Sequence, residues 1–483
     1  MRTGYIRDSR RAASARGREP SNADPRSRMS VTDYLQQNRE QSLAELNELL
    51  RIPSISAKSE HKGDTAAAAE WLAARMRAIG LTVDVVPTAG HPVVLGEWRG
   101  AEGAPTLLVY GHYDVQPPEP LDEWLSSPFE PTVRDGKLFA RGSVDDKGQV
   151  YLHLKAVEAH LATNGALPVN VVFVLEGEEE VGSPHLAEFL AANAGRLRCD
   201  AVMISDTTMF APGLPSITIG LRGLAYMEVR VQGPSTDLHS GVYGGAVVNP
   251  ANALARIISR LHDERGRVTV PGFYDRVKEI DERERTTIAG LPFEEEGLRK
   301  EVGAPKLGGE EGYGPLERVW VRPTLDVNGL LSGYTGEGAK TVLPARAMAK
   351  VSMRLVPDQD HKEVERLFID YVKSLAPEGV TVEVEALHGG QPWFAEPSGP
   401  VFEAARRALA KAYGRDPVTI REGGSIPIVK AFEDTLGAPV VLIGFGLPGE
   451  NAHAPNEWMS LENFDVGMRA MARLYEEFGS DGA

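Results

Sequence analysis

From Thr32 to Leu50, apolar side chains return at Leu35, Leu43, Leu46, Leu49 and Leu50. That spacing predicts a helix with one buried face, which Pro53 ends. A second helix is predicted from Asp64, read as its N-cap, through Trp71, Leu72 and Met76 to Gly80, the residue just past its end. Strand-like runs follow at 81–86 and 106–110, then a helix over 147–161. The runs 169–175 and 201–205 are apolar without a break, as strands are when both faces of their sheet are covered. Such strands alternating with helices predict an α/β fold with a doubly wound sheet.

Near Gly220 the pattern changes. Residues 226–231 alternate, Asn249-Pro250 opens a helix that runs toward His262, and 265–315 is rich in charge and glycine. Val364, Leu367, Phe368, Tyr371, Val372 and Leu375 line one helical face, and predicted strands at 347–355 and 380–385 flank it. This is a β-α-β unit of an α+β domain. After Gly389 the first style resumes with a helix over 400–413, an apolar run at 439–445 and a closing helix over 461–478. The predicted organisation is therefore an extension (1–28), a first α/β part (29–217), an inserted α+β domain (218–386) and a second α/β part (387–483). No internal repeat is visible.

Composition narrows the partners. The chain is 42% hydrophobic and 25% charged, with no apolar run near the roughly 18 residues a membrane helix needs. A net charge of −16 argues against nucleic acid or an anionic membrane as partner, since either calls for a basic face. With Cys199 alone there is no internal disulfide and no thiolate zinc cluster, so any metal must be held by His and carboxylate, and a reducing, cytoplasmic compartment is expected. Residues 1–28 carry eight Arg against three acids and almost no apolar residues, so they are expected to be disordered. They contain no apolar stretch of the kind a secretory signal needs, and Met29, directly before Ser-Val-Thr-Asp, reads as a plausible start.

Five segments place metal-ligand residues where an apolar run ends or a helix begins, which is where open α/β sheets build their sites. They are Gly111-His112-Tyr113-Asp114, Arg141 to Gly148 with Asp145, Glu176 to Ser183 with Glu179 and Glu180, Asp206, and Gly449 to His453. In the first, His112 can ligate a metal while Asp114 orients its other ring nitrogen. Each segment alone often reads better as a surface pair, a solvated acidic turn or a capped loop. Five such accidents would not all fall at strand exits.

The motifs GHYDVQP (111–117), RGSVDDKG (141–148), EGEEEVGS (176–183), ISD (204–206), DLHSGVYGG (237–245), GAKTVLP (338–344), SMRLVP (352–357), REGGSIP (421–427) and AHAPNE (452–457) resemble the clan MH metallopeptidases. Within that clan they are similar to the carnosinase-type and nonspecific dipeptidases; the wider family includes aminoacylases, glutamate carboxypeptidase and succinyl-diaminopimelate desuccinylase. The match runs in the family's order over about residues 30–480. The resemblance implies a zinc-peptidase catalytic domain interrupted by a lid and dimerisation domain, with two divalent ions per subunit. Zinc is the first expectation, and manganese or cobalt also suit an oxygen-rich shell. Asp145 would bridge the two ions, His112 and Asp206 would complete one shell, and Glu180 and His453 the other. Glu179 would be the general base that takes a proton from metal-activated water and returns it to the leaving amine. Arg354 and Ser425 would hold a substrate carboxylate, and His239 would be lent by the partner subunit of a homodimer.

The expected activity is thus hydrolysis of dipeptides or similar small peptides with a free C-terminal carboxylate. An N-acyl amino acid deacylase or desuccinylase would use the same ligands. A binding protein without turnover could shed its base or a ligand, yet all five ligands and Glu179 are present. The nearest phosphate-loop look-alike, Gly333 to Thr341, has Ala339 where a second glycine must stand.

Overall fold

The computed structural model describes residue 1 and residues 29–424, 426 and 428–480. The expected disorder of the N-terminal extension and the expected role of Ser425 fall outside the described residues.

The unbroken apolar runs become strands Thr106–His112, Asn170–Glu176, Ala201–Ile204 and Val440–Leu442. Neighbours among these four pair in parallel at the centre of a nine-stranded sheet. Because side chains alternate across a strand, each run feeds two cores. Leu107, Val109, Val171 and Phe173 face helices Lys62–Ala78, Lys147–Asn164 and Leu461–Ser480. Leu108, Tyr110, Val172 and Val174 face Leu186–Asn193 and Ile428–Leu436 on the other side. Each such side chain, fully buried, contributes about 1.5–3 kcal/mol. The doubly wound expectation holds for this centre. Toward one edge the sheet turns antiparallel through Thr82–Val86 and Val93–Trp98, the latter a strand not read from the sequence.

A separate four-stranded antiparallel sheet follows the order Thr324–Ser332, Arg346–Leu355, Gly223–Gln232, Thr381–Gly390. Helices Pro250–Ile258 and His361–Ser374 cover one face, burying Leu254, Ile257, Val364, Phe368 and Val372 against Met227, Val229, Val351 and Met353. Asn249 caps the first of these through Oδ1, which accepts the Ala251 N–H at 2.8 Å. The larger sheet's strand Ser216–Leu221 and the smaller sheet's Gly223–Gln232 are separated by Arg222 alone.

Two local expectations need correction. The helix predicted over 32–50 is two, Val31–Gln37 and Arg39–Leu50, interrupted at Asn38. There the Asn38 side-chain amide donates to the Tyr34 carbonyl at 2.9 Å, adding a second donor beside the residue's own backbone N–H at 3.0 Å. Asp64 is not the N-cap of its helix, which starts at Lys62 after a 3-10 turn; its carboxylate instead meets His61 Nδ1 at 2.7 Å.

Candidate metal centre

The strand Thr106–His112 ends by delivering His112 into the interior, where it is 0% exposed. Its Nδ1 faces the Asp114 carbonyl oxygen at 3.1 Å and Asp114 Oδ1 at 3.4 Å. Both are acceptors, so Nδ1 carries a proton and donates. In the neutral ring Nε2 is then a bare lone pair, yet it faces Asp145 Oδ1 at 3.1 Å and Asp206 Oδ2 at 3.8 Å. Acceptors facing acceptors require a proton or a cation between them.

The same geometry recurs across Asp145. Its Oδ2 lies 2.9 Å from His453 Nε2, which is also 3.3 Å from Glu180 Oε2. Two groups capable of holding an ion result, His112 with Asp145 and Asp206, and Asp145 with Glu180 and His453, and Asp145 belongs to both. The nitrogen and oxygen donor set fits divalent cations of the zinc and manganese type. Protons register the same demand. Hydrogen bonds donated to the carboxylates of Asp145 and Glu180 push His453 up to about 11. Burial works against charge on His112, but Asp114, Asp145 and Asp206 together raise its pKa well above the ordinary imidazole value. Burial lifts Asp206 to about 6, with His112 opposing.

Each side chain of the two groups is placed by the turn that carries it. Asp145 lies in the tight turn before helix Lys147–Asn164, where a Cβ on Gly148 would come within 1.9 Å of the Ser143 carbonyl oxygen. Glu180 and Glu179 sit on a 3-10 turn whose two N–H groups donate to Asp114, at 3.2 Å from Glu179 and 3.1 Å from Glu180. Asp114 therefore orients the histidine and anchors the acidic turn at once. Gln116 Nε2 donates to Glu180 Oε2 at 2.7 Å. His453 adopts a left-handed backbone, φ 64°, in a loop with Asn451 and Asn456 also at positive φ. Buried Glu450 holds that loop by accepting the N–H groups of Leu447 and Ser460.

Glu179 belongs to neither ligand group. Burial raises its pKa well above the usual range; His112 opposes this, while the charges of Asp206, Glu180 and Asp145 raise it further. Beside the centre a cavity of about 270 Å³ is lined by Asp145, Asp206, Thr208, Glu422 and Asn451.

Sequence reasoning gave no role to Glu457, although it closes the last motif. It is 0% exposed and pairs with Arg141 Nη1 at 2.7 Å, while its oxygens accept the N–H groups of Gly142, Val144 and Asp145. It thus fixes the turn that presents Asp145. Nothing in its spacing marked it, because the partners lie more than 300 residues away.

The remaining predicted residues lie elsewhere. Arg354 is half-buried on the smaller sheet, in strand Arg346–Leu355. His239 is exposed, in a two-residue strand paired with Val342–Leu343, and its Nδ1 accepts the Gly241 N–H at 3.0 Å. That bond leaves Nε2 as the protonated atom of the neutral ring, free to donate.

Residues 108–477 match Peptidase family M20/M25/M40. The chain belongs to this family. It is 33% identical to the Cys-Gly metallodipeptidase dug1 of Schizosaccharomyces pombe over 93% of this chain and 98% of that protein. The structure of human carnosine dipeptidase 1 superimposes with a TM-score of 0.82 at 30% identity, covering 93% of this chain and 98% of that one. A Sulfolobus solfataricus M20 metallo-carboxypeptidase matches with a TM-score of 0.82 at 35% identity, over 91% and 99%. Among the described residues, no helix is long and apolar enough to cross a membrane.

Proposed function

We propose that this chain is a homodimeric, metal-dependent dipeptidase whose substrates are small peptides with a free C-terminal carboxylate. Asp145 carries the reading, because its two carboxylate oxygens each face a histidine of a different ligand group. His112, Asp145 and Asp206 hold one divalent ion; Asp145, Glu180 and His453 hold the other. Zinc is the first choice for both, with manganese or cobalt admitted by the carboxylate-rich shell. When bound, such a pair supplies Lewis acidity, acidifying water and polarising a carbonyl.

The chain's own residues do the rest. Glu179, held against the centre by the Asp114 anchor on its N–H, takes the proton of the attacking water and passes it to the leaving amine. Arg354 holds the substrate carboxylate, together with Ser425. His239 of the partner subunit donates from Nε2 to the carbonyl oxygen as negative charge develops there. A cytoplasmic setting accords with a chain whose single cysteine, Cys199, has no internal partner.

The names of two relatives, a Cys-Gly metallodipeptidase and a carnosine dipeptidase, favour a dipeptide over a longer chain. The test is turnover of metal-loaded protein on Cys-Gly and β-Ala-His against N-acetyl and N-succinyl amino acids. Preference for the dipeptides is expected; preference for the N-acyl compounds would install the deacylase reading in its place.

Ion binding should also release protons. His453, raised to about 11, is protonated at pH 7 in the metal-free protein, and a ligand must be neutral. Calorimetric titration with Zn²⁺ in buffers of different ionisation enthalpy should show net proton release at pH 7, diminishing as pH rises through the histidine's own range. Proton uptake at pH 7 would remove His453 from the shell.

A further inference from the structure

Arg222 occupies the one position between the last strand it follows in the larger sheet and the first strand of the smaller. Its backbone N–H donates to the Gly424 carbonyl oxygen at 3.1 Å, and its side-chain Nε donates to the Gly423 carbonyl oxygen at 3.1 Å. A Cβ on Gly423 would lie 3.0 Å from Arg222 Nη2, so the guanidinium lies along this turn. The turn begins at Glu422, which lines the cavity beside the metal centre and accepts the Thr208 N–H two residues beyond Asp206. Arg222 is therefore tied by two hydrogen bonds to the segment that leaves the candidate active site.

The ladder places it beside Arg354. Leu224 is opposite Arg354, and Met353 and Leu355 point into the smaller domain's core. Arg354 thus faces away from that core, with Thr324 opposite it and Asp326 diagonal to it. Arg222 lies two residues before Leu224, on the same side by strand alternation. Two half-buried guanidiniums share this face, and the charge of Asp326 acts on both. Burial, and next the Arg354 charge, bring Arg222 down to about 10. Two guanidiniums on one face, one of them tied to the turn that follows Glu422, can grip one carboxylate together.

We propose that Arg222 is a specificity-determining residue that reads the substrate's C-terminal carboxylate jointly with Arg354, while fixing the 423–424 turn that follows Glu422. The inference rests on the reading that the substrate carries a free carboxylate. It extends that reading to a second guanidinium and ties the carboxylate subsite to the junction between the two sheets.

The test compares the best-cleaved dipeptide of the panel above with its C-terminal amide, using wild type, Arg222→Gln and Arg222→Lys. Wild type should favour the free acid. Arg222→Gln should lose roughly 10–100-fold in kcat/KM on the acid, chiefly through KM, and change little on the amide, the scale of one charge-assisted contact. Arg222→Lys should recover part of the loss. Equal losses on acid and amide, with or without a fall in Tm, would reduce Arg222 to a structural clamp and overturn the proposal. If wild type cleaved acid and amide alike, the free-carboxylate reading itself would fall and the proposal with it.

Discussion

Glu179→Gln is expected to keep both metal ions and lose roughly 10²–10⁴-fold in kcat, the usual range for a missing general base. The substitution removes proton transfer but preserves size and hydrogen bonding. The backbone N–H of residue 179 still donates to Asp114 Oδ1, so the turn that presents Glu180 is undisturbed. Glu180→Gln is the contrasting control. Glu180 Oε2 lies 3.3 Å from His453 Nε2, and neutralising it should empty one of the two groups. Metal analysis alongside kcat separates these cases. Wild-type turnover in Glu179→Gln, or metal loss from it, would hand the base to another residue.

His239→Ala should cost about 10²–10³-fold in kcat, as loss of an oxyanion donor does, with metal content intact. The imidazole is well set for that task. Its Nδ1 is occupied by the Gly241 N–H, so Nε2 is the donor, and the ring stands exposed in its two-residue strand rather than within either group of candidate ligands. A donor outside its own chain's metal groups is expected to work across a dimer. Mixing His239→Ala with Arg354→Ala tests this directly, because a heterodimer would then contain one site free of both substitutions. Activity should partly return after subunit exchange. No recovery, with exchange confirmed by labelled subunits, would place both residues on the same side of each site or take His239 out of catalysis.

Asp145 shows how far local sequence reaches. It stands in a turn at a helix start, and its type and placement suffice to nominate a ligand. That it faces two histidines, one 33 residues before it and one more than 300 after, is a property of the parallel sheet that gathers the ends of Thr106–His112, Asn170–Glu176, Ala201–Ile204 and Val440–Leu442 on one rim. Glu457 was invisible for the complementary reason. An acid near a loop histidine normally faces solvent, and only the fold buries this one against Arg141 and three backbone N–H groups. Segment 265–315 was opaque because its amphipathic signal is weak. Its helices Glu282–Ala289 and Glu295–Glu301 contain no fully buried residue, and its apolar residues divide between two clusters, Val268, Val270 and Phe273 in the smaller sheet's core and Ile280, Ile288 and Leu291 with distant Phe210, Val418 and Ile420.

By itself the sequence determined the elements whose burial pattern is local: the unbroken apolar strands, the amphipathic helices, and the ligand types at their ends. A run such as 169–175 has one low-energy use, a strand covered on both faces, wherever its neighbours lie. Sheet order, the antiparallel edge, the sharing of Asp145 between two ligand groups and the pairing of Arg222 with Arg354 were decided only by tertiary structure. These depend on which distant segments meet. Strand alternation specifies which side chains share a face, but the partner strand and its register are selected by the packing of the whole domain.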